Sequence, residues 1–208
     1  MPVPSDPPIY HITHVDNLPG IMQAGCVWSD ARRVRSNLQV TNIGYSHIKQ
    51  RRLTRPVPVA AKGMLGDYVP FNFCPRSVML YVVSRGHVDY SAGQNAVVHL
   101  VSTVRTAIHT GRPWAFTDRH ADLRHAEYHD DLKDLGEVAW DVMPLRWWND
   151  PPVNQELRQA EFLVHDRFRF DAVTEIGVIH EGMAGQVRSL LAPSVHRPAV
   201  HVRPDWYY

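Results

Sequence analysis

One acidic residue at the start of a short apolar run constrains this chain more than any other feature. In the run Gln159–Val164, Glu161 is followed directly by three apolar residues. A short, unbroken apolar run predicts a buried strand, and the aromatic, proline-rich stretch Trp147–Pro152 ahead of it predicts a loop. A glutamate that opens such a strand either faces solvent at the edge of a sheet or is held in place for chemistry. The segment by itself leaves both interpretations open.

The length and composition of the chain indicate one globular domain that spans residues 1–208. With 44% hydrophobic residues the chain can bury a sizeable core, although its length also overlaps the lower end of two-domain proteins. No apolar run approaches the ~18 residues of a membrane span, and the N-terminus lacks the basic start and apolar stretch of a signal peptide. Cys26 and Cys74 are too few for a disulfide framework or a cysteine-rich zinc site. We therefore expect reduced thiols, a cytoplasmic location and no membrane contact.

The distribution of charge is more informative than its total. Cations crowd the first third of the chain, and a smaller acidic group lies in the middle. The cations are Arg32, Arg33, Arg35, Lys49, Arg51, Arg52, Arg55 and Lys62, and the acidic residues are Asp130, Asp131, Asp134 and Glu137. The formal net charge of +1 argues against a protein that binds nucleic acid by electrostatics alone.

Strands and helices are predicted to mix without regular alternation, which indicates an α+β domain with six or seven short strands. Besides the strand of Glu161, the predicted strands are residues 9–13, 78–83, 114–116, 174–179 and 200–202. The predicted helices are residues 18–24, 46–53, 95–108 and 183–191, with a further polar helix capped by Asp118. Gly25 is expected to end the first helix, Ser46 to cap the second, and residues 29–45 to form an arginine-rich loop.

Four blocks of the sequence follow the order and spacing of one known family. They are His11-Ile12-Thr13 with Asn17-Leu18 and Gly20-Ile21, then Tyr68–Tyr81, then Phe116-Thr117-Asp118 with Ala121, and finally Gln159–Val164. Together these blocks resemble the DarT family, the DNA-targeting ADP-ribosyltransferase toxins. This chain has His120 where asparagine is expected in that family, and the sequence after the fourth block contains no matching motif.

The resemblance implies a single-domain ADP-ribosyltransferase-like fold, with two small packed antiparallel sheets and flanking helices, that takes NAD as co-substrate. Breaking the bond between nicotinamide and ribose passes through a cation-like transition state, which the carboxylate of Glu161 would stabilise. His11 is implied to bind the adenosine ribose, and a half-buried histidine without a ligand is the alternative. The implied NAD site consists of His11, Ile12, Thr13, Gly20, Trp28 and Arg52. Because the chain lacks a glycine-rich dinucleotide fingerprint, we expect a non-Rossmann pocket.

Two adjacent arginines in the predicted helix 46–53 are candidates for a role at the acceptor base. Arg51 and Arg52 point about 100° apart on a helix, so one can face the cleft while the other meets solvent or a phosphate. The resemblance implies that an arginine of this segment acts catalytically, by favouring the anionic form of a thymine ring nitrogen. We favour Arg52, with Arg51 as the second candidate, and two solvated arginines are the alternative.

The DNA contacts implied by the resemblance are Arg51, Lys49, Trp147, Trp148 and His120. Exposed tryptophans beside arginines suit the stacking of unpaired bases. The alternative for Trp147 and Trp148, and for Trp140 nearby, is that they are core residues that anchor a long loop.

The leading hypothesis is a toxin enzyme that transfers ADP-ribose from NAD to the ring nitrogen of a thymine base in a short motif of single-stranded DNA, releasing nicotinamide. One alternative is an ADP-ribosyltransferase that acts on RNA or protein, and another is a non-enzymatic single-stranded nucleic-acid-binding domain. A buried glutamate argues against the last of these. The expected partners are single-stranded DNA, NAD and a cognate macrodomain antitoxin. No metal is expected, because His125 and His129 lack a third ligand at a suitable spacing.

Overall fold

The structure is a computed structural model that describes residues 2–208. The strands are β1 (Pro8–His14), β2 (Cys26–Trp28), β3 (Tyr68–Asn72), β4 (Val97–Thr103), β5 (Trp114–His120), β6 (Tyr128–His129), β7 (Ala160–His165), β8 (Arg167–Arg169), β9 (Glu175–Val178) and β10 (Ala199–Val202). The α-helices are α1 (Leu18–Ala24), α2 (Asp30–Arg35), α3 (Ser46–Arg52), α4 (Val78–Arg85), α5 (Val104–His109), α6 (Val153–Leu157) and α7 (Glu181–Leu191). Within residues 2–208, none of the helices has the length and apolar character needed to cross a bilayer.

Eight of the strands form one sheet in the order β10-β9-β4-β1-β3-β7-β5-β6. All neighbours are antiparallel except the parallel pair β9 and β10. Strands β2 and β8 form a separate two-stranded antiparallel sheet. The α+β prediction is therefore confirmed, with the difference that one of the two sheets is large and contains a parallel pair.

The large sheet is divided at its centre, between β1 and β3. Strand β1 pairs with β4 along its whole length, whereas its one paired position with β3 in the described chain is Tyr10 opposite Asn72. Four strands lie on each side of this division. Because β1 and β3 are not paired at their other positions, a cleft can open between these two strands.

The strand that carries Glu161 lies inside the sheet. Strand β7 pairs with β3 on one side and with β5 on the other, and Glu161 stands opposite Asn72 of β3. Phe162, Leu163 and Val164 are fully buried, and Glu161 itself is only 5% exposed. The interpretation of Glu161 as a solvent-facing edge residue is therefore wrong, because both edges of β7 are paired.

Residues 78–83 form part of helix α4 and not the predicted central strand. The hydroxyl of Ser77 accepts a hydrogen bond of 3.1 Å from the backbone N–H of Leu80 and so caps this helix. Leu80 is buried, whereas Met79 and Tyr81 on either side of it are exposed. An apolar run of this length fits a buried strand and a helix equally well, and the capping serine favours the helix.

The predicted helix 95–108 is a strand followed by a short helix. Strand β4 ends at Thr103, whose hydroxyl accepts a hydrogen bond of 3.1 Å from the N–H of Thr106 and caps α5. The strand begins with Val97 and Val98, whose β-branched side chains favour extended backbone. The helical spacing of apolar residues was therefore misleading here.

Of the other local predictions, some are wrong and some agree with the structure. Asp118 lies within β5 and accepts a hydrogen bond of 2.9 Å from the N–H of Glu127, so it does not cap a helix. The predicted loop 29–45 begins with a helix, α2, which Ser29 caps. Helix α3 begins at Ser46 as predicted, but the N-cap position is one residue earlier. Helix α1 ends at Gly25, whose φ of +67° favours glycine.

Candidate active site

A cavity of about 830 Å³ lies at the division of the large sheet. Its volume is in the range of small-molecule sites. Strand β1, helices α1, α3 and α4, and the segment 38–45 contribute to its walls. The predicted site residues that line it are His11, Ile12, Thr13, Gly20, Trp28, Lys49, Arg52, His120 and Glu161. Arg51, Trp147 and Trp148 do not line this cavity.

Glu161 is held in the cavity by a buried, two-pronged ion pair with Arg52. The two terminal nitrogens of Arg52 donate hydrogen bonds of 3.0 and 2.9 Å to Oε1 and Oε2 of Glu161. The backbone N–H of Ala121 donates a further hydrogen bond of 3.3 Å to Oε1. The backbone N–H of Glu161 donates to the hydroxyl of Thr117 on β5, at 3.1 Å, which fixes the start of β7. The carboxylate therefore has a defined position and orientation before any ligand binds.

The charges of this pair are stable at neutral pH. Burial by itself raises the pKa of the Glu161 carboxyl, but the guanidinium of Arg52 lowers that pKa on balance. Burial likewise disfavours the charged form of Arg52, and Glu161 reverses this, so the pKa of Arg52 is raised. Each partner thus compensates the desolvation of the other, and removal of one would leave a buried charge unpaired.

Arg51 points away from the cavity, as expected for the neighbour of a cleft-facing residue on a helix. Its Nε donates a hydrogen bond of 2.7 Å to Asp122, whose side chain is nearly buried. Arg55 donates to the backbone carbonyl of Leu123. Arg51 and Arg55 thus attach α3 and the residues after it to the turn that follows β5. The backbone N–H of Ala121, which donates to Glu161, belongs to the same turn. The sequence did not reveal this attachment, because its partners are far apart along the chain.

His11 bridges the division between β1 and β3. Its Nδ1 lies 2.8 Å from the carbonyl oxygen of Pro70, and its ring packs against Phe71. Burial lowers the pKa of the His11 imidazole, so the neutral ring is the stable form. Because a carbonyl can only accept, Nδ1 carries the proton, and Nε2 is left as an acceptor for a hydroxyl of a ligand.

A charged cluster that the sequence did not predict lies beside this pair in the cavity wall. Oδ1 of Asp30 accepts a hydrogen bond of 2.8 Å from Arg33 and lies 3.5 Å from Nζ of Lys49. Burial by itself raises the pKa of the Asp30 carboxyl, and Lys49 and Arg33 lower that pKa on balance. Burial also lowers the pKa of Lys49. Lys49, predicted as a DNA contact, therefore projects into the cavity.

The segment that follows α2 is attached over the same cavity by Asn17. The side-chain amide of Asn17 donates to the hydroxyl of Thr13 at 3.0 Å and to the carbonyl of Thr41 at 2.9 Å. Its carbonyl accepts a hydrogen bond of 2.8 Å from the N–H of Thr41. The residues around Thr41 therefore form a fixed wall of the cavity. The motif residue Asn17 has to be polar in order to make these three hydrogen bonds.

The remaining predicted NAD-site residues lie at the sides of the cavity. Two guanidinium groups lie near the ring of Trp28, that of Arg32 at 5.4 Å and that of Arg167 at 5.6 Å from the ring centre. Gly20 leaves open space where a side chain would stand. Burial lowers the pKa of His120, which favours its neutral form beside Glu161.

The tryptophans of the segment between β6 and α6 have different environments. Trp148 is only 7% exposed, and its Nε1 donates a hydrogen bond of 3.0 Å to the hydroxyl of Tyr208. Trp140 is also buried and donates to the carbonyl of Leu135 at 2.7 Å. The prediction of an exposed stacking surface is therefore wrong for these two residues, because both are anchored in the interior. Trp147 is 80% exposed, in agreement with that prediction.

The two histidines considered as metal ligands have other partners. His125 lies 3.0 Å from a carboxylate oxygen of Glu156, and His129 lies 3.5 Å from Asp134. They do not lie on one helix, because the chain forms turns and strand β6 here. In residues 2–208, no three side chains of the ligating types come together in a way that could hold a metal ion.

Comparison with known proteins identifies the chain by both sequence and structure. A family model described as "DarT: ssDNA thymidine ADP-ribosyltransferase, DarT" matches residues 10–208. A DNA ADP-ribosyl transferase of Thermus sp. (strain 2.9) is 41% identical over 207 residues, which are 99% of this chain and 98% of the relative. That of Mycobacterium tuberculosis is 32% identical over 212 residues, covering 99% of this chain and 90% of the relative.

Two solved structures are similar along almost their entire length. Thermus sp. 2.9 DarT in complex with ADP-ribosylated single-stranded DNA has a TM-score of 0.95 and 40% identity, over 100% of this chain and 99% of that chain. Its complex with NAD+ has a TM-score of 0.91 and 38% identity, over 100% of both chains.

Proposed function

We propose that this chain, which belongs to the DarT family of single-stranded DNA thymidine ADP-ribosyltransferases, transfers ADP-ribose from NAD to a ring nitrogen of thymine in single-stranded DNA. Nicotinamide is the other product. The observation that carries the proposal is the carboxylate of Glu161, fixed by Arg52 inside a cavity large enough for NAD. Residues 1–208 would act as one ADP-ribosyltransferase domain.

Glu161 would act on the donor. The bond between the ribose C1′ and the nicotinamide nitrogen breaks, and nicotinamide leaves with the electron pair. Positive charge develops on the ribose, and a fixed carboxylate stabilises that charge without having to reorganise. A carboxylate whose pKa is lowered by Arg52 is ionised at neutral pH and therefore available for this role.

Arg52 would act on the acceptor. The thymine ring nitrogen is a poor nucleophile while it holds its proton, and a guanidinium beside it favours the anion. The Glu161 carboxylate, which lies in the same cavity, accepts this proton as the base. The nitrogen then forms the new bond to C1′. Of the two adjacent arginines, Arg52 lines the cavity and Arg51 does not. This supports Arg52 as the residue that acts on the acceptor.

NAD would occupy the rest of the cavity. The free Nε2 acceptor of His11 suits a ribose hydroxyl. Arg33 and Lys49, which share Asp30 as partner, suit the diphosphate, because a bound anion would compensate their burial. This assignment moves Lys49 from the DNA to the NAD side of the site. A cradle of side-chain cations replaces the glycine-rich phosphate loop that the chain lacks.

A cognate macrodomain antitoxin remains the proposed protein partner. An enzyme that modifies the DNA of its own cell requires a counterpart that restrains it or reverses the modification. Co-expression with a macrodomain that removes ADP-ribose from thymine should restore growth of cells that express this chain. A restored growth rate without loss of DNA adducts would contradict reversal as the mechanism.

The experiment that tests the proposal follows label from NAD into five acceptors. Single-stranded DNA that contains thymine should become labelled. Duplex DNA of the same sequence should be a poor acceptor, because its thymine ring nitrogen is paired and stacked. Single-stranded DNA without thymine, RNA and protein should take no label. Label in protein or RNA with none in DNA would overturn the proposal.

A further inference from the structure

The turn 120–123, at the end of β5, is held by contacts from several elements of the fold. The N–H of Leu123 closes it with a hydrogen bond of 3.0 Å to the carbonyl of His120. The side chain of His120 lines the cavity. Two arginines of α3 and the residues after it hold the side chain of Asp122 and the carbonyl of Leu123. Ala121, the remaining residue, is fully buried and makes the contact with the catalytic carboxylate.

The two peptide groups on either side of the Ala121 Cα have different partners. The N–H of Ala121 donates to Oε1 of Glu161 at 3.3 Å. The carbonyl of that same peptide group, which belongs to His120, accepts from the N–H of Leu123, and this polarises the group towards Glu161. The carbonyl of Ala121, in the next peptide group, accepts a hydrogen bond of 2.5 Å from the hydroxyl of Tyr128. Tyr128 therefore fixes the orientation of the turn that presents the N–H.

The strand pair that carries Tyr128 also fixes the backbone of Glu161. Tyr128 lies on β6 directly opposite Thr117 of β5. The hydroxyl of Thr117 accepts the hydrogen bond from the backbone N–H of Glu161. Between Phe116 and His120 the register of β5 against β7 shifts, an irregularity of the kind that redirects side chains beside active sites. Thr117 thus supports the backbone of Glu161, and Tyr128 supports its carboxylate through Ala121.

The hydroxyl of Tyr128 is a donor at every pH near neutrality. Burial and, to a smaller extent, the charge of Glu161 raise the pKa of the Tyr128 phenol above its ordinary value of 10.0. The phenol therefore keeps its proton. Neither Tyr128 nor Ala121 lines the cavity, so neither is placed to contact a ligand there. Any effect of Tyr128 on the reaction has to pass through the turn.

The contact from Ala121 matters most when Arg52 serves the acceptor. Within residues 2–208, the donors to the Glu161 carboxylate are the two terminal nitrogens of Arg52 and the N–H of Ala121. A guanidinium that stabilises a thymine anion has to weaken at least one of its hydrogen bonds to Glu161. The N–H of Ala121, as part of the fixed backbone, then remains to orient the carboxylate while positive charge develops on the ribose.

We propose that Tyr128 is a positioning residue for the transfer reaction. Its hydroxyl holds the turn 120–123, so that the N–H of Ala121 keeps the Glu161 carboxylate in place while Arg52 stabilises the acceptor base. This inference rests on the proposed function, because it takes Glu161 and Arg52 as the groups that act on donor and acceptor. Tyr128 acts on the chemical step and not on the affinity for NAD or DNA.

The test begins with Tyr128→Phe, which removes the hydroxyl alone. Single-turnover transfer at saturating NAD and single-stranded DNA should be about tenfold slower than in the wild type, because a small displacement of a catalytic group is enough for such a loss. The Kd values for NAD and for DNA should not change, since the hydroxyl lies outside the cavity.

Tyr68→Phe is the matched control. Tyr68 is a buried tyrosine of the apolar cluster against which Tyr128 packs, and its hydroxyl donates to the backbone carbonyl of Lys62 at 2.9 Å. It stands opposite His165, at the other end of β7 from Glu161. This variant loses the same kind of hydrogen bond and should lose similar stability in denaturant unfolding, but it should transfer ADP-ribose at the wild-type rate.

The pH profile provides a readout that a loss of stability alone would not move. A weaker hydrogen bond to the carboxylate raises the pKa of Glu161, so transfer by Tyr128→Phe should begin to fall at a higher pH than transfer by the wild type or Tyr68→Phe. A wild-type rate and acid limb in Tyr128→Phe, or equal slowing in Tyr68→Phe, would overturn the role of Tyr128 alone. No transfer by the wild-type protein would overturn the proposed function, and this inference with it.

Discussion

Arg52 and Glu161, which are 109 residues apart in the chain, form a buried ion pair with two hydrogen bonds of 3.0 and 2.9 Å. Helix α3 supplies the cation and strand β7 supplies the carboxylate, so the pair also joins two parts of the fold. Breaking a buried pair by removing one partner typically costs about 3–5 kcal/mol. Variants at either position therefore affect both chemistry and stability, and the two effects have to be measured separately.

The first prediction concerns the two adjacent arginines. Arg52→Ala should abolish transfer and lower the free energy of unfolding by about 3 kcal/mol, because Glu161 is left buried without a partner. Arg52→Lys should restore some stability but little transfer, since a point charge cannot reproduce the two-pronged contact. Single-turnover rates at saturating NAD and DNA, beside denaturant unfolding, provide both quantities. Full transfer by Arg52→Lys would exclude a role that depends on the guanidinium geometry.

A second prediction follows from the contact between Arg51 and Asp122. We expect Arg51 to fix the turn whose Ala121 N–H donates a hydrogen bond to Glu161. Arg51→Ala and Asp122→Asn should therefore each slow transfer modestly. The double variant should be no slower than either, with a coupling energy of about 1 kcal/mol. Additive losses, with Arg51→Ala chiefly raising the DNA concentration required, would instead identify Arg51 as a phosphate contact.

The third prediction is a pH dependence of stability that originates at His99. Burial lowers the pKa of His99 from its ordinary 6.5 to about 4, and its Nε2 donates to the carbonyl of Pro75 at 2.9 Å. The unfolded chain thus binds a proton more readily than the folded protein does between these two values. The stability contribution is complete above pH 6.5 and is lost as the pH falls towards 4.

Denaturant unfolding at pH 7 and pH 5 measures this contribution. The wild-type protein should lose about 2 kcal/mol of unfolding free energy through His99 over this interval. His99→Gln should show a correspondingly smaller loss, whatever its stability at pH 7. His109→Gln, at an exposed histidine of α5, serves as the matched control and should behave as wild type. An identical loss in His99→Gln would refute the assignment.

Local sequence patterns predicted the strands that carry His11 and Glu161 but not the contacts that shape the site. The apolar run after Glu161 and the predicted strand 9–13 around His11 are short-range signals, and both residues lie where those signals indicated. The prediction of a strand for residues 78–83 is wrong, because an apolar run has no period that distinguishes a strand from a helix. The capping role of Ser77 was the signal that could have corrected this.

Long-range contacts explain what the sequence could not reveal. Trp147 and Trp148 are adjacent and chemically identical, and their exposure differs because Tyr208, 60 residues further on, accepts the hydrogen bond of Trp148 alone. No local pattern predicts the contact between Asp30 and Lys49, since the two residues belong to different helices. Such pairings depend on the packing of elements and not on local pattern.

The most direct test of the account is a single-turnover reaction of wild-type protein and Glu161→Gln with NAD and a thymine-containing single strand, read by mass spectrometry of the oligonucleotide. Wild-type protein should add one ADP-ribose to strands that contain thymine and none to strands that lack it. Glu161→Gln should bind NAD with similar affinity but react at least about a hundredfold more slowly, because the lost carboxylate acts mainly in the transition state. Glu181→Gln, at an exposed glutamate of α7, should react at the wild-type rate. Transfer by Glu161→Gln at the wild-type rate, or equal labelling of strands without thymine, would contradict the account.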